Sequence, residues 1–143
     1  MGRSGTTNLA AALSNGILEK KVLQDIGGKT MLEHVLSQCS RCKNVNRIIV
    51  FTDDLQIHNL TISIGFQSII SNEIYTSGSQ RIASNLKNQE FIYKNDPYIV
   101  NVQADQPFIE SKLIDNFFEV GINENLRDSV LTCVYKLEEN EIR

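Results

Sequence analysis

Tyr98-Ile99-Val100-Asn101-Val102-Gln103-Ala104-Asp105-Gln106-Pro107 is the stretch that decides the fold. Ile99 to Val102 can cross a sheet interior, and the run turns polar and stops at a proline. Apolar character without strict alternation suits a parallel strand covered on both faces. Pro107 has no N–H to donate to a ladder, so the chain must leave the sheet there. Asp105 then sits just past the carboxyl end of the strand, where open α/β sheets place their ligands. A carboxylate at that point can hold a hard cation beside a phosphate, or cap the next helix.

Upstream, Arg47-Ile48-Ile49-Val50-Phe51-Thr52 predicts a second buried parallel strand. Asp53-Asp54 follows at its carboxyl end, where either acid can cap a helix starting near Leu55. That helix contains the poor helix formers Thr61 to Ile64 and ends at Gly65. Phe66 to Ile70 predicts a third, shorter strand. Ser71 to Thr76 is a loop, and Ser77 or Ser79 can cap the helix that follows. The free N–H groups of its first turn can receive a carbonyl or phosphate, and Arg81 can clamp an acceptor with its planar fork or lie in solvent. Asn85 to Asn95 reads as polar surface. Downstream of the central stretch, Leu113, Ile114, Phe117 and Phe118 give a helix over 110–120 its core face. Gly121 stops it, Ser129 to Tyr135 forms a last strand, and the tail from Glu138 is helix-like.

The amino-terminal part differs in character. Asn8-Leu9-Ala10-Ala11-Ala12-Leu13 has no β-branched residue and reads as a helical turn rather than a central strand. Ser14-Asn15-Gly16 is a turn signal. Gly27-Gly28 predicts a tight turn before a helix that buries Met31, Leu32, Val35 and Leu36. Strand and helix in repetition define an α/β chain: a Rossmann-like, mostly parallel sheet with helices on both faces. Residues 1–16 form a divergent segment, and 17–143 a partial α/β domain.

At 143 residues, 41% apolar and 22% charged, the chain has one domain's worth of core. Its net charge of −3 is uneven, with an excess of basic residues before residue 50 and of acidic residues after it. A mildly basic start suits an anionic substrate, but no Lys/Arg stripe is dense enough for nucleic acid. No apolar run is long enough to cross a bilayer, and no signal-peptide core is evident, so a cytoplasmic setting is expected. Cys39 and Cys42 have redox or half-zinc-site spacing, without a second Cys/His pair nearby to complete a tetrahedron.

Asn101-Val102-Gln103-Ala104-Asp105-Gln106-Pro107 resembles the Asn-Val-Gln-Gly-Asp-Glu-Pro signature of the 3-deoxy-manno-octulosonate (KDO) cytidylyltransferases. Ser77-Gly78-Ser79-Gln80-Arg81-Ile82-Ala83 is similar to the family's Ser-Gly-Thr-Glu/Asp-Arg-Leu/Ile-Ala, with Gln80 in place of the acid. Ile26-Gly27-Gly28-Lys29 matches Ile-Gly-Gly-Lys, and alignment on it drops the phosphate-loop lysine onto Lys21. The loop arginine falls on Ile17, and the loop's Pro-Gly pair on Glu19-Lys20. The resemblance implies strand order 3-2-1-4, with a first strand between Arg47–Thr52 and the central stretch. Residues near Leu9–Leu13 fill that gap against their propensity, or the two neighbouring strands close up, or the chain is an incomplete product. The family's sugar-acid-gripping part, dimer contact and second metal-binding aspartate would follow Arg143, so the sheet is incomplete relative to the family.

The resemblance implies transfer of CMP from CTP to KDO, with pyrophosphate released and Mg2+ as cofactor. Lys21 and Asp105 would be the catalytic residues, Asp105 holding the metal and Lys21 the phosphates. Ser77, Gly78, Arg81 and Gln103 would line the nucleotide. The partners are then CTP and KDO, with no nucleic acid or membrane, and a homodimer only if its contact is supplied. An inactive nucleotide-binding remnant or non-catalytic subunit is the alternative, followed by a sialic-acid cytidylyltransferase.

Overall fold

The structure, a computed structural model, describes residues 10–14, 21–71, 73–87, 98–126 and 131. Four strands, β1 (Ala10–Ser14), β2 (Arg47–Thr52), β3 (Gln67–Ile70) and β4 (Ile99–Gln103), form one sheet in the order β3-β2-β1-β4. Every pairing is parallel. The helices are α1 (Met31–Cys39), α2 (Leu55–Ser63), α3 (Gly78–Leu86) and α4 (Ser111–Asn123), with a short 3-10 turn at Lys21–Leu23. Among the described residues no helix is long and apolar enough to cross a membrane.

The helical turn expected at Asn8–Leu13 is overturned. Ala10–Ser14 is the central strand, pairing through Ala10↔Arg47 to Ser14↔Phe51 on one side and Ala10↔Ile99 to Ser14↔Gln103 on the other. Two waiting edges supply ladder partners to both sides of this backbone, and that outweighs the weak strand preference of alanine. The gap implied by the resemblance is therefore filled.

Side chains alternate across the sheet, and each face has its own core. On one face Val50 and Val102 pack with Leu32, Val35 and Leu36 of α1, Ile57 of α2, and Ile114 and Phe118 of α4. On the other, Ile49 and Phe51 pack with Ile82 and Leu86 of α3. Each such side chain, fully buried, contributes about 1.5–3 kcal/mol. The Leu86 contact corrects the expected surface segment from Asn85, because α3 carries its apolar stripe one residue beyond that point.

Helix ends follow local chemistry. Gly27 and Gly28 take φ of 65° and 90°, the left-handed conformation a two-residue hairpin turn needs. The Ile26 N–H donates to the Lys29 carbonyl, and the His34 ring contacts the Ile26 carbonyl at 2.7 Å. Thr30 then opens α1 with a capping box shared with Glu33. Asp54, not Asp53, caps α2, accepting from Gln56 and Ile57 N–H groups. Gly121 does not stop α4, which runs on to Asn123. It is buried because the Tyr98 ring lies 3.4 Å from where a Cβ would stand. The expected strand at Ser129–Tyr135, apart from Leu131, and the helix-like tail lie outside the described residues.

Asp115 is a buried acid that joins distant segments. Its carboxylate accepts from the Lys43 N–H at 3.0 and 3.1 Å and the Asn44 N–H at 3.2 Å, fastening α4 to the loop after α1. Asp115→Ala should cost about 2 kcal/mol, the range for hydrogen bonds to a charged group. An unchanged urea midpoint would disprove that role. Glu33 is held below its ordinary pKa of 4.5, first by the Thr30 N–H and then by the Thr30 hydroxyl. A lowered folded pKa stabilises the fold above the unfolded value, and the contribution is lost as pH falls through the folded one. Wild type should therefore exceed Glu33→Ala in stability at neutral pH. Thermal melts should show the gap closing as pH drops below 4.5.

Candidate functional site at the carboxyl end of the sheet

Between β1 and β4 the strand order reverses, because β1 leads to β2 on one side while β4 lies on the other. Open α/β sheets hold ligands at the carboxyl ends of such a pair. The register sets Ser14 level with both Phe51 and Gln103, so these three strands end together at one rim.

Asp105 lies at that rim. The Gln106 N–H donates to the Gln103 carbonyl at 3.3 Å, closing a turn with Asp105 at its third position. The residue is exposed, and the helix-cap alternative fails because α4 begins only at Ser111, after Glu110. Gln103 is also exposed and shares a strand face with Ile99 and Asn101. Asn101 and Ile99 border α3, and the Asn101 amide donates to Ser79 Oγ at 3.3 Å. This bond ties β4 to the first turn of α3.

That first turn is built by its own sequence. Ser77 is the N-cap, its hydroxyl accepting from the Gln80 N–H at 3.2 Å. Gln80 reaches back, its amide oxygen accepting from the Thr76 N–H at 2.9 Å and the Thr76 hydroxyl at 2.8 Å. An amide oxygen thus serves where the family motif carries an acid, so the replacement leaves the cap intact. The Arg81 N–H donates to the Ser77 carbonyl, which leaves Gly78 and Ser79 to offer first-turn N–H groups to an external acceptor.

Arg81 is not a solvent arginine. It is 5% exposed, and its Nη2 forms an ion pair with Asp53 Oδ2 at the end of β2. Its guanidinium also lies 5.7 Å from the centre of the Tyr75 ring. The Tyr75 hydroxyl accepts from the Asn85 amide, which also donates to the Arg81 carbonyl. Sequence reasoning treated Asp53 as a structural acid or a cap and missed this pairing. The only signal is an acid at a strand end and an arginine in a helix's first turns, separated by α2 and β3.

Lys21 opens the 3-10 turn and is exposed. No described interaction brings its side chain to Asp105, Ser77 or Arg81, and residues 15–20, which link it to β1, lie outside the described set. Among the described residues no three His, Cys, Asp or Glu side chains cluster to hold a metal ion. Asp105 is a lone exposed carboxylate, of the kind that a hard cation keeping several waters can share with substrate phosphates. Beside the site, α3 and β4 line an open, mainly apolar pocket of about 390 Å³, whose polar lining is limited to Ser79, Lys87 and Asn101. Its lining does not suit a triphosphate.

Cys39 and Cys42 lie in the core, away from this rim. Burial pushes the Cys39 thiol up to about 12 and the Cys42 thiol up to about 11. Both shifts favour the protonated thiol at neutral pH, which works against thiolate chemistry at this pair. Native protein at neutral pH should leave both thiols unmodified by iodoacetamide, with labelling appearing only on unfolding. Rapid native labelling of either would refute the burial.

Fold and rim together define an open-sheet α/β domain whose candidate site lies at its topological switch point. A family model described as Cytidylyltransferase matches residues 14–142. The chain belongs to the cytidylyltransferase family. It is 35% identical over 135 residues to the 3-deoxy-manno-octulosonate cytidylyltransferase of Fusobacterium nucleatum subsp. nucleatum, covering 93% of this chain and 52% of that protein. A protein of the same name from Leptospira interrogans serovar Lai is 38% identical over 95 residues, covering 66% of this chain and 37% of that protein. The structure of CMP:2-keto-3-deoxy-manno-octonic acid synthetase complexed with CTP shares the fold, with a TM-score of 0.71 at 23% identity. That match covers 82% of this chain and 48% of the other. The chain spans about half the length, or less, of the curated relatives it matches.

Proposed function

We propose that this chain provides the nucleotide-holding part of a KDO cytidylyltransferase, transferring CMP from CTP to 3-deoxy-D-manno-octulosonate. The observation that carries the proposal is the meeting of two motifs at one rim. Asn101 to Pro107 ends β4, and Ser77 to Arg81 opens α3 beside it, joined through the Asn101–Ser79 bond. The relatives' names supply the sugar acid.

In this reaction the anomeric hydroxyl oxygen of KDO bonds to the α-phosphorus of CTP. The bond from that phosphorus to the bridging oxygen breaks, pyrophosphate leaves, and the hydroxyl proton passes to solvent. Such chemistry depends mainly on positioning and charge screening. Mg2+, when bound, supplies neutralisation of the phosphate charge. Asp105 is the carboxylate that would hold it, exposed at the strand end as a substrate-shared metal requires. Ser77 and Gly78 orient the nucleotide through the first turn of α3. Arg81 and Gln103 border it from the helix and from the end of β4. Lys21 is the phosphate lysine of the proposal, exposed and able to reach toward ligand on a flexible stem.

Titration calorimetry of CTP into the 143-residue chain, with and without Mg2+, tests this assignment directly. Binding should require magnesium and weaken at least about tenfold in Asp105→Ala, as expected when the metal loses its protein ligand. The same titration of a folded chain showing no CTP binding would sink the proposal.

A further inference from the structure

We propose that Asp53 is a positioning residue for the nucleotide site, acting through Arg81 and the first turn of α3. The inference rests on the nucleotide assignment above and adds to it a residue that touches no ligand itself.

Asp53 immediately follows β2, the strand that supplies both cores, so its backbone is anchored. The hydroxyl of buried Thr52 accepts from the Asp54 N–H at 3.0 Å, and Asp54 in turn caps α2. The strand-to-helix corner that carries Asp53 is thus held on both sides. From it, Asp53 Oδ2 grips Arg81 Nη2, while the Tyr75 ring bounds the guanidinium from another direction. A charged fork buried to this degree needs a fixed partner, because an uncompensated buried charge is strongly destabilising. The pair links β2 to α3 across 28 residues.

Two consequences bear on the ligand. The charge of Arg81 is already balanced, so its contribution is donor geometry rather than net attraction for a triphosphate. Rotation of α3 is restrained at the end where Gly78 and Ser79 offer their N–H groups, with the Asn101–Ser79 bond as the second tether. Asp53 Oδ1 is buried without a hydrogen-bond partner, so this carboxylate is committed to Arg81 rather than spread over several donors.

The test compares Mg–CTP affinity of wild type, Asp53→Asn, Arg81→Lys and the double variant by calorimetry, with a thermal melt for each. Asp53→Asn should weaken binding about tenfold, the scale seen when a supporting partner of a site residue is removed. Arg81→Lys keeps a charge near Asp53 but loses the fork, and should weaken binding similarly. The double variant should bind no worse than the weaker single, because both changes break one unit. Asp53→Asn that melts lower yet binds like wild type would overturn the inference and leave the function proposal standing. Multiplying losses in the double variant would also overturn it, since Asp53 would then act independently of Arg81. Wild type that does not bind CTP would overturn the function proposal and this inference together. If Asp53→Asn does not fold, Asp53→Glu, which keeps the charge but displaces it by one methylene, replaces it under the same criteria.

Discussion

The double-sided pairing of Ala10–Ser14 is the interaction on which the rest of the structure depends. It joins β2 to β4, and the larger core and the candidate site are assembled across that junction. Without it, two parallel strands would each present an unpaired edge inside the molecule, at the cost that buried N–H and C=O groups carry. The same pairing creates the reversal of strand order, and so locates the crevice. One five-residue segment of mostly alanine therefore joins the sheet and sets the position of the candidate site.

Around that junction the two faces are specialised. The face covered by α1, α2 and α4 carries the larger core and the fastening by Asp115, a carboxylate bound to backbone N–H groups rather than to a cation. The face covered by α3 carries the smaller core. α3 meets the rim through polar contacts, Arg81 to Asp53 and Asn101 to Ser79. Apolar packing is tolerant of direction, whereas an ion pair and a hydrogen bond prescribe it. The helix whose first turn is proposed to face a ligand is thus the one whose placement is held by directional bonds.

Much of this was legible beforehand. The strands at Arg47–Thr52 and Ile99–Gln103 announce themselves by β-branched runs, and the caps at Thr30, Asp54 and Ser77 lie in ordinary sequence positions for caps. The Ser77–Ala83 and Asn101–Pro107 motifs resemble those of KDO cytidylyltransferases, and the chain belongs to the cytidylyltransferase family. The helical turn expected at Asn8–Leu13 was wrong because alanine's preference is weak and partners outside the window decide. Gly121 was misread as a stop because its function is to admit the Tyr98 ring, a contact no local pattern reveals. The sequence leaves Arg81 open between clamp and solvent because its partner Asp53 follows β2, 28 residues away.

By itself the sequence determined the alternation of strand and helix, the identity of the buried strands and the two motifs that mark the rim. All of these are encoded in short windows of propensity and spacing. Only the tertiary structure decided that an alanine-rich segment is the central strand, that Asp54 caps while Asp53 binds Arg81, and that the arginine is buried. Those outcomes depend on which distant groups arrive as partners. A backbone edge or a carboxylate has no preference that its own neighbours in sequence can display.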